Sequence, residues 1–117
     1  MSIPVGPYSP VVATGDWIVC SGQIGIAEGA LVDGLGPQVT QAVSNLKSLL
    51  ASQGASLSDV VKTTVFLADI GDYAEMNTAY VEAFEGHAPA RSAVAVAALP
   101  LGALVEIEAW ARMAEGR

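Results

Sequence analysis

An arginine at the head of an apolar run restricts the folds that this chain can adopt. Arg91 begins residues 91–97, which are otherwise typical of a buried β-strand. The guanidinium group stays charged at any accessible pH, and its planar fork of donors matches a carboxylate. Burying such a group is costly unless it is paired. The fold must therefore give Arg91 either an acidic protein partner or an anionic ligand.

Two glutamates lie a short way downstream, in a second apolar run at residues 104–110. Because side chains alternate along a strand, Glu106 and Glu108 are expected to project from one face. Both fit a solvated strand face. The alternation of a strand is enough to explain Glu108 as a solvent-facing residue, and we expect it to pair with Arg112. Glu106 alone is therefore the candidate for chemistry. One cation and two carboxylates in neighbouring strands form the candidate site.

The charge balance excludes several classes of partner. The chain has 12 acidic and 5 basic residues, with a formal net charge of −7 at pH 7. Nucleic acids and anionic membranes require basic patches, so neither is an expected partner. The same charge repels anionic metabolites at long range, and an anionic substrate therefore needs a local cation. The basic residues are Lys47, Lys62, Arg91, Arg112 and Arg117.

Length and composition indicate one domain, residues 1–117, with one hydrophobic core. The single cysteine, Cys20, cannot form an internal disulfide, which fits a reducing compartment. Residues 1–7 lack the basic and apolar regions of a signal peptide, and the longest uncharged stretch, 92–105, is shorter than the roughly 20 residues that span a bilayer. We expect a cytoplasmic protein. One histidine and one cysteine cannot build a zinc site, so no metal is expected.

Two helices are predicted from the sequence. The first has Pro37 at its first position and Gly54 as its C-cap. Its apolar stripe recurs at helical spacing and consists of Val39, Val43, Leu46, Leu49 and Leu50. The second helix, residues 72–84, begins with Asp72 and Glu75, which resemble a capping box.

Five segments are predicted to be strands, because they are rich in apolar, β-branched and aromatic residues. They are residues 11–14, 17–24, 60–68, 91–97 and 104–113, and a glycine-punctuated loop spans residues 27–36. The resulting ββαβαββ order favours an α+β fold with a single mixed sheet and two helices on one face. Residues 60–68 are apolar on both sides, so we expect other subunits to cover the second face.

Several short motifs run in order through nearly the whole chain. They are Gly-Pro-Tyr-Ser at 6–9, Cys-Ser-Gly-Gln-Ile at 20–24, Val-Lys-Thr-Thr-Val-Phe-Leu at 61–67, Asn77 with Tyr80, Pro-Ala-Arg-Ser at 89–92, and Val-Glu-Ile-Glu-Ala at 105–109. Each motif is weak alone. Together they resemble the reactive intermediate deaminases, the RidA or YjgF-type proteins.

This resemblance implies a fold, an assembly and an activity. The fold is like that of the bacterial AroH-type chorismate mutases. The assembly is a homotrimer with active sites in the clefts between subunits. The activity is hydrolysis of 2-imino acids, and of their enamine tautomers, to 2-keto acids and ammonia without a cofactor or metal.

The resemblance also assigns roles to individual residues. The carboxylate-binding arginine corresponds to Arg91 and the water-handling glutamate to Glu106. Four further residues correspond to substrate contacts in the cleft: Tyr8, Ser21, Asn77 and Pro100. One position departs from the family, because many members have a cysteine where this chain has Ala93, and its absence enlarges the pocket slightly.

Arg91 and Glu106 are not expected to meet within one chain. If residues 93–97 and 104–110 pair as a hairpin, Arg91 lies near its far end and Glu106 lies closer to the loop. A site containing both then combines two subunits. This remains a hypothesis because strand register cannot be read from sequence.

Three other functions fit the sequence less well than a deaminase does. A non-catalytic small-carboxylate binder or regulatory protein on the same scaffold needs Arg91 but has no use for a water aimed by Glu106. A chorismate-mutase-like isomerase is suggested only by fold analogy, and a diacid would want more than one cation in the cleft. Endonuclease activity fits poorly with the acidic charge.

Overall fold

The computed structural model describes residues 6–113, which contain seven strands and two helices. The strands are β1 (Val11–Thr14), β2 (Trp17–Ile24), β3 (Ile26–Ala27), β4 (Ala30–Leu31), β5 (Val60–Leu67), β6 (Ala90–Ala95) and β7 (Val105–Arg112). The helices are α1 (Leu35–Ser52) and α2 (Tyr73–Ala83). Five strands form one sheet in the order β1-β2-β7-β5-β6, and β3 pairs with β4 in a separate hairpin.

The sheet is mixed, as predicted. β6 runs parallel to β5, and the other neighbouring strands are antiparallel. With the two helices on one face, this confirms the α+β class and the ββαβαββ order. The exception is the hairpin of β3 and β4, which lies partly within the segment that was predicted to be a loop.

The hairpin expected between residues 93–97 and 104–110 is wrong. β5 lies between β6 and β7 in the sheet. The physical reason is the helical crossover: α2 leads from β5 to β6, and such a connection makes the two strands parallel neighbours. β6 therefore occupies the edge, and β7 enters on the other side of β5. The candidate residues Arg91 and Glu106 are accordingly on strands that do not touch.

The core lies between the helices and one face of the sheet. Alternate residues of β7, from Val105 through Ala111, are fully buried on this side, as are Val65 and Leu67 of β5. The predicted helical stripe from Val39 to Leu50 packs against them and is also buried. Neither helix within residues 6–113 is long and apolar enough to cross a membrane.

The ends of the helices differ in detail from the prediction. α1 begins two residues before Pro37, after Gly34, whose φ of 95° suits glycine. The expected capping box at the start of α2 is wrong, since the Asp72 side chain makes no capping hydrogen bond. A 3₁₀ turn runs directly into α2, and within that turn the Asp69 carboxylate accepts a 2.8 Å hydrogen bond from the backbone N–H of Gly71.

The second face of the sheet is open and carries exposed apolar side chains. Trp17 and Trp110 meet edge to face with ring centroids 6.2 Å apart, and both rings remain more than one third exposed. Val12 and Val94 extend this apolar surface toward the two edges. We name these four residues the open-face patch. No element within residues 6–113 covers it.

Candidate functional site

The Arg91 side chain lies on the helix-covered side of β6, opposite Thr63 of β5. α2 provides its surroundings. Nη2 donates a 3.1 Å hydrogen bond to the hydroxyl of Tyr73, and Nη1 lies 3.8 Å from the sulfur of Met76. The guanidinium carbon is 4.9 Å from the ring centroid of Tyr80 and 5.6 Å from that of Tyr73. The cation is therefore held by aromatic rings, a hydroxyl and a thioether.

Arg91 has no acidic partner in the described part of the chain. The salt bridge found there joins Arg112 to Asp16, at 3.7 Å and at an exposed position. The expected pairing of Arg112 with Glu108 is therefore wrong. Arg112 pairs in register with Trp17, which places it beside the turn that carries Asp16. Arg91 is partly buried, and its charge is not neutralised by an acidic side chain of residues 6–113.

Tyr80 forms a fixed surface under the guanidinium. Its hydroxyl shares a buried 2.6 Å hydrogen bond with Thr63, and its ring stacks on Phe84 with centroids 4.6 Å apart. Burial raises the pKa of Tyr80, while the hydrogen bond with Thr63 and the charge of Arg91 oppose that rise. The phenol stays neutral, so it supports the cation without cancelling its charge.

Tyr73 is a site residue that the sequence did not reveal. The other tyrosine of α2, Tyr80, packs in the core and is 5% exposed. Tyr73 is 43% exposed and contacts Arg91 through both its ring and its hydroxyl. The signal in the sequence is their spacing of seven residues, which puts both tyrosines on one face of α2.

Glu106 lies on the opposite face of the sheet from Arg91. It pairs with Ile24 of β2 and Phe66 of β5, and it is half-buried. Burial raises its pKa above the ordinary value, and the negative charge of Glu108 raises it further. A carboxylate with a raised pKa accepts and returns a proton more readily near neutral pH than an ordinary surface glutamate.

A glycine makes room for the Glu106 carboxylate. The pairing of β2 with β7 shifts register between Cys20 and Gln23, which places a β-bulge at Ser21 and Gly22. A Cβ atom at Gly22 would lie 2.7 Å from Cδ of Glu106. The absence of a side chain at position 22 therefore decides where the carboxylate can lie.

Ser21 and Tyr8 are brought close together through the chain between them. The Ser21 hydroxyl donates a 2.7 Å hydrogen bond to the carbonyl of Ser9, and its backbone N–H donates to the carbonyl of Pro10. These bonds fasten the segment that carries Tyr8, whose ring is 45% exposed. Ser21 precedes Gly22, whose backbone lies against the Glu106 side chain.

The remaining predicted residues occupy different surroundings. Asn77 lies on α2, one turn from both Tyr73 and Tyr80, and its side-chain oxygen is buried without a hydrogen-bond partner in the described chain. Pro100 opens an exposed 3₁₀ turn, Pro100–Gly102, in the loop before β7. Asn77 is on the helix that contacts Arg91, and the sheet separates both residues from Glu106 within one chain.

Other features of residues 6–113 contribute no alternative centre. A groove of about 670 Å³ between α1 and α2 has walls that include Thr40, Gln41, Glu75 and Thr78, and it contains none of the predicted site residues. No three histidine, cysteine, aspartate or glutamate side chains in this range could together hold a metal ion. Burial raises the pKa of Cys20 to about 11, so this thiol is protonated and inert.

Comparison with known proteins connects this geometry to one family. Residues 2–113 match the family model described as Endoribonuclease L-PSP. The 2-iminobutanoate/2-iminopropanoate deaminase of Mus musculus is 46% identical over 110 residues, which cover 92% of this chain and 82% of that protein.

Solved structures agree with the sequence comparison. The crystal structure of the YjgF gene product from E. coli superposes with a TM-score of 0.89 at 38% identity, covering 93% of this chain and 90% of that one. E. coli TdcF with bound serine superposes with a TM-score of 0.90 at 34% identity, covering 95% and 91%. The predicted chorismate-mutase-like architecture is therefore confirmed. In sequence and in fold, the chain belongs to the RidA/YjgF/L-PSP (RutC) family.

Proposed function

We propose that this protein is a cofactor-independent hydrolase that converts 2-imino acids and their enamine tautomers to 2-keto acids and ammonia. The observation that carries the proposal is the Arg91 guanidinium, which has no acidic partner within residues 6–113 and is supported by neutral groups. A relative that is 46% identical bears the name of this activity.

Arg91 is the proposed anchor for the substrate carboxylate. Its contacts with Tyr73 and Met76 leave N–H donors of the guanidinium unused, and a carboxylate can bind such donors as a fork. TdcF was crystallised with serine, whose carboxylate lies next to a carbon that bears nitrogen. A 2-imino acid has the same arrangement, so the proposed substrate belongs to a class of ligand that one relative binds.

Glu106 is the proposed acid and base. The imine binds with its nitrogen protonated by solvent, as an iminium. Glu106 takes a proton from water as the oxygen attacks the iminium carbon and the C=N π pair moves to nitrogen, which gives a neutral carbinolamine. Glu106 then gives that proton to the amine nitrogen, the hydroxyl proton returns to Glu106 as the C=O bond forms and the C–N bond breaks, and ammonia takes this proton and leaves as ammonium. Water and iminium thus become keto acid and ammonium. Imines already hydrolyse in water, so positioning and modest proton transfer are sufficient.

A homotrimer with its sites between subunits completes the proposal. Arg91 and Glu106 lie on opposite faces of one sheet, so a site that uses both requires two chains. The open-face patch gives a second copy an apolar surface to cover. The number of subunits follows the family resemblance, and the cytoplasmic location expected from the sequence belongs to the same proposal.

A coupled assay tests the activity. An amino acid oxidase generates imines from several amino acids, and keto acid formation is followed with the wild type and with Arg91→Ala, Arg91→Lys and Glu106→Ala. We expect Arg91→Ala and Glu106→Ala to abolish acceleration, and Arg91→Lys to lose most of it because an ammonium lacks the planar fork. Lys47→Ala, which removes an exposed charge from α1, is the control. Equal rates for the wild type and Arg91→Ala would reject the proposal.

The rival function, a non-catalytic carboxylate binder, is separated by the same variants. A binder retains affinity for a 2-keto acid in a titration, loses it with Arg91→Ala, and shows no keto acid production above the uncatalysed rate. That outcome would support Arg91 as the carboxylate anchor and reject Glu106 as an acid and base.

Mixing two inactive variants tests the shared site. If each site takes Arg91 from one subunit and Glu106 from another, co-expressed Arg91→Ala and Glu106→Ala chains assemble some intact sites. Random mixing in equal amounts makes about one quarter of the sites complete. Sedimentation velocity should show three times the mass of one chain for every sample. Mixed trimers without any activity would place the whole site in one subunit.

A further inference from the structure

The hydroxyl of Tyr73 makes a contact with Arg91 that packing does not require. Tyr73 is the first residue of α2, and nearly half of its side chain is exposed. Its oxygen accepts the 3.1 Å hydrogen bond from Nη2, while its ring lies 5.6 Å from the guanidinium carbon. Phenylalanine would provide the same ring contact, so packing does not explain the hydroxyl group.

An arginine side chain has several rotatable bonds, and an unrestrained guanidinium samples many orientations. A ligand that binds a mobile arginine must first restrict it, which weakens binding. Three side chains of α2 restrict Arg91: the ring of Tyr80, the sulfur of Met76 and the hydroxyl of Tyr73. A ring face leaves rotation about its normal free, and sulfur is a weak acceptor. The Tyr73 oxygen is therefore the group best able to fix the plane.

The choice of a phenol also preserves the charge of the anchor. A carboxylate at this position would hold the guanidinium as firmly, but it would neutralise the cation and compete with the carboxylate of a ligand. A neutral hydroxyl accepts one hydrogen bond and leaves the positive charge in place. This distinction matters in a chain whose formal net charge is −7, because the remaining field repels anionic ligands.

We propose that Tyr73 is a positioning residue, whose hydroxyl holds the Arg91 guanidinium in the orientation that receives a ligand carboxylate. Its substrate class rests on the proposed function, because that function supplies the 2-imino acid as the ligand. The positioning itself extends to any small 2-keto acid, which carries the same carboxylate.

The test compares three substitutions on α2 of the full-length protein. Tyr73→Phe removes the hydroxyl and keeps the ring, Tyr73→Glu supplies a charged acceptor, and Thr78→Val removes a hydroxyl that bonds to the carbonyl of Ala74 on the same helix. Calorimetric titration with 2-oxobutanoate gives Kd, and the oxidase-coupled assay gives KM and kcat for the corresponding imine. Thermal unfolding of each variant excludes a loss of fold.

Tyr73→Phe should raise Kd and KM about three- to tenfold, with kcat within about a factor of two of the wild type. Tyr73→Glu should weaken binding further, because its carboxylate neutralises Arg91, and Thr78→Val should leave Kd and KM unchanged. Unchanged Kd for Tyr73→Phe, or a fall in kcat without a change in KM, would overturn the positioning role and leave the proposed function intact. Binding that depends on Tyr73 in a protein without deaminase activity would reject the proposed function and retain the positioning role. A wild type that neither binds the keto acid nor deaminates the imine would reject both.

Discussion

Replacing Gly22 with alanine is expected to displace the carboxylate of Glu106 while leaving the fold intact. The added Cβ would lie 2.7 Å from Cδ and 2.9 Å from Cγ of Glu106. Carbon atoms pack at about 3.5–4.0 Å, so the carboxyl group must retreat by roughly 1 Å. A misplacement of about 1 Å can reduce a rate about 100-fold. We therefore expect kcat/KM for imine hydrolysis to fall roughly 10- to 100-fold.

The same substitution should change stability little. Gly22 does not have a left-handed backbone conformation, so alanine fits its backbone. Gly→Ala at such a position reduces the entropy of the unfolded chain and stabilises by about 0.4–1 kcal/mol. The atoms that must move belong to the flexible end of one side chain. The free energy of unfolding should therefore stay within about 1 kcal/mol of the wild type.

The assay combines the oxidase-coupled rate with urea unfolding at one protein concentration. Gly36→Ala is the matched control, since a Cβ there meets nothing within 4 Å and Gly36 is in the first turn of α1. The double variant Gly22→Ala/Glu106→Gln should be no slower than Glu106→Gln alone, because the alanine acts through the carboxylate. Full activity of Gly22→Ala would show that the observed carboxylate position is irrelevant to the rate, and additive losses would show that Gly22 acts on another group.

Three further measurements follow from the buried and charged groups. Burial and the charge of Glu108 raise the pKa of Glu106, so the acid limb of the kcat/KM profile should lie above the ordinary glutamate range. Glu108→Gln should move this limb to lower pH. A limb that does not move would belong to another group. When folding raises the pKa of a carboxyl group, the free energy of unfolding falls as the pH rises through that pKa. Glu106→Gln should therefore stabilise the protein more at pH 7 than at pH 4 in urea titrations. An equal effect at both pH values would contradict this linkage. Tyr80→Phe leaves the buried Thr63 hydroxyl without its hydrogen-bond partner and should lower the free energy of unfolding by about 1–3 kcal/mol. An unchanged midpoint of urea unfolding would mean that the 2.6 Å hydrogen bond adds no net stability.

Features with a local periodic signature could be predicted from the sequence. Strands β1 and β2 begin and end at the predicted residues, because alternating apolar residues are bounded by the turn at Gly15 and Asp16. The helical stripe from Val39 to Leu50 is buried as predicted, because its spacing gives α1 a single apolar face. The element order then favoured one sheet with both helices on one side.

Features set by contacts distant in sequence could not be predicted. The insertion of β7 between β2 and β5 depends on the sheet as a whole, so the sequence did not show that Arg91 and Glu106 face opposite sides. The pairing of Arg112 with Asp16 depends on the same register. The contact of Tyr73 with Arg91 was not predicted, because aromatic residues on an amphipathic helix usually pack in the core.

The placement of Arg91 and Glu106 on opposite faces has a chemical consequence for the proposed site. If the two side chains were in contact within one chain, the carboxylate would pair with the guanidinium, and the pKa of Glu106 would fall instead of rising. The anchor would then be neutralised and the base weakened by the same contact. Because the sheet separates the two groups, neutral side chains on α2 hold the Arg91 cation without cancelling its charge. Burial and the neighbouring Glu108 keep the pKa of the Glu106 carboxyl raised. An interface between subunits can then set their distance by rigid strands, which holds a substrate and a water between them more firmly than two flexible side chains could.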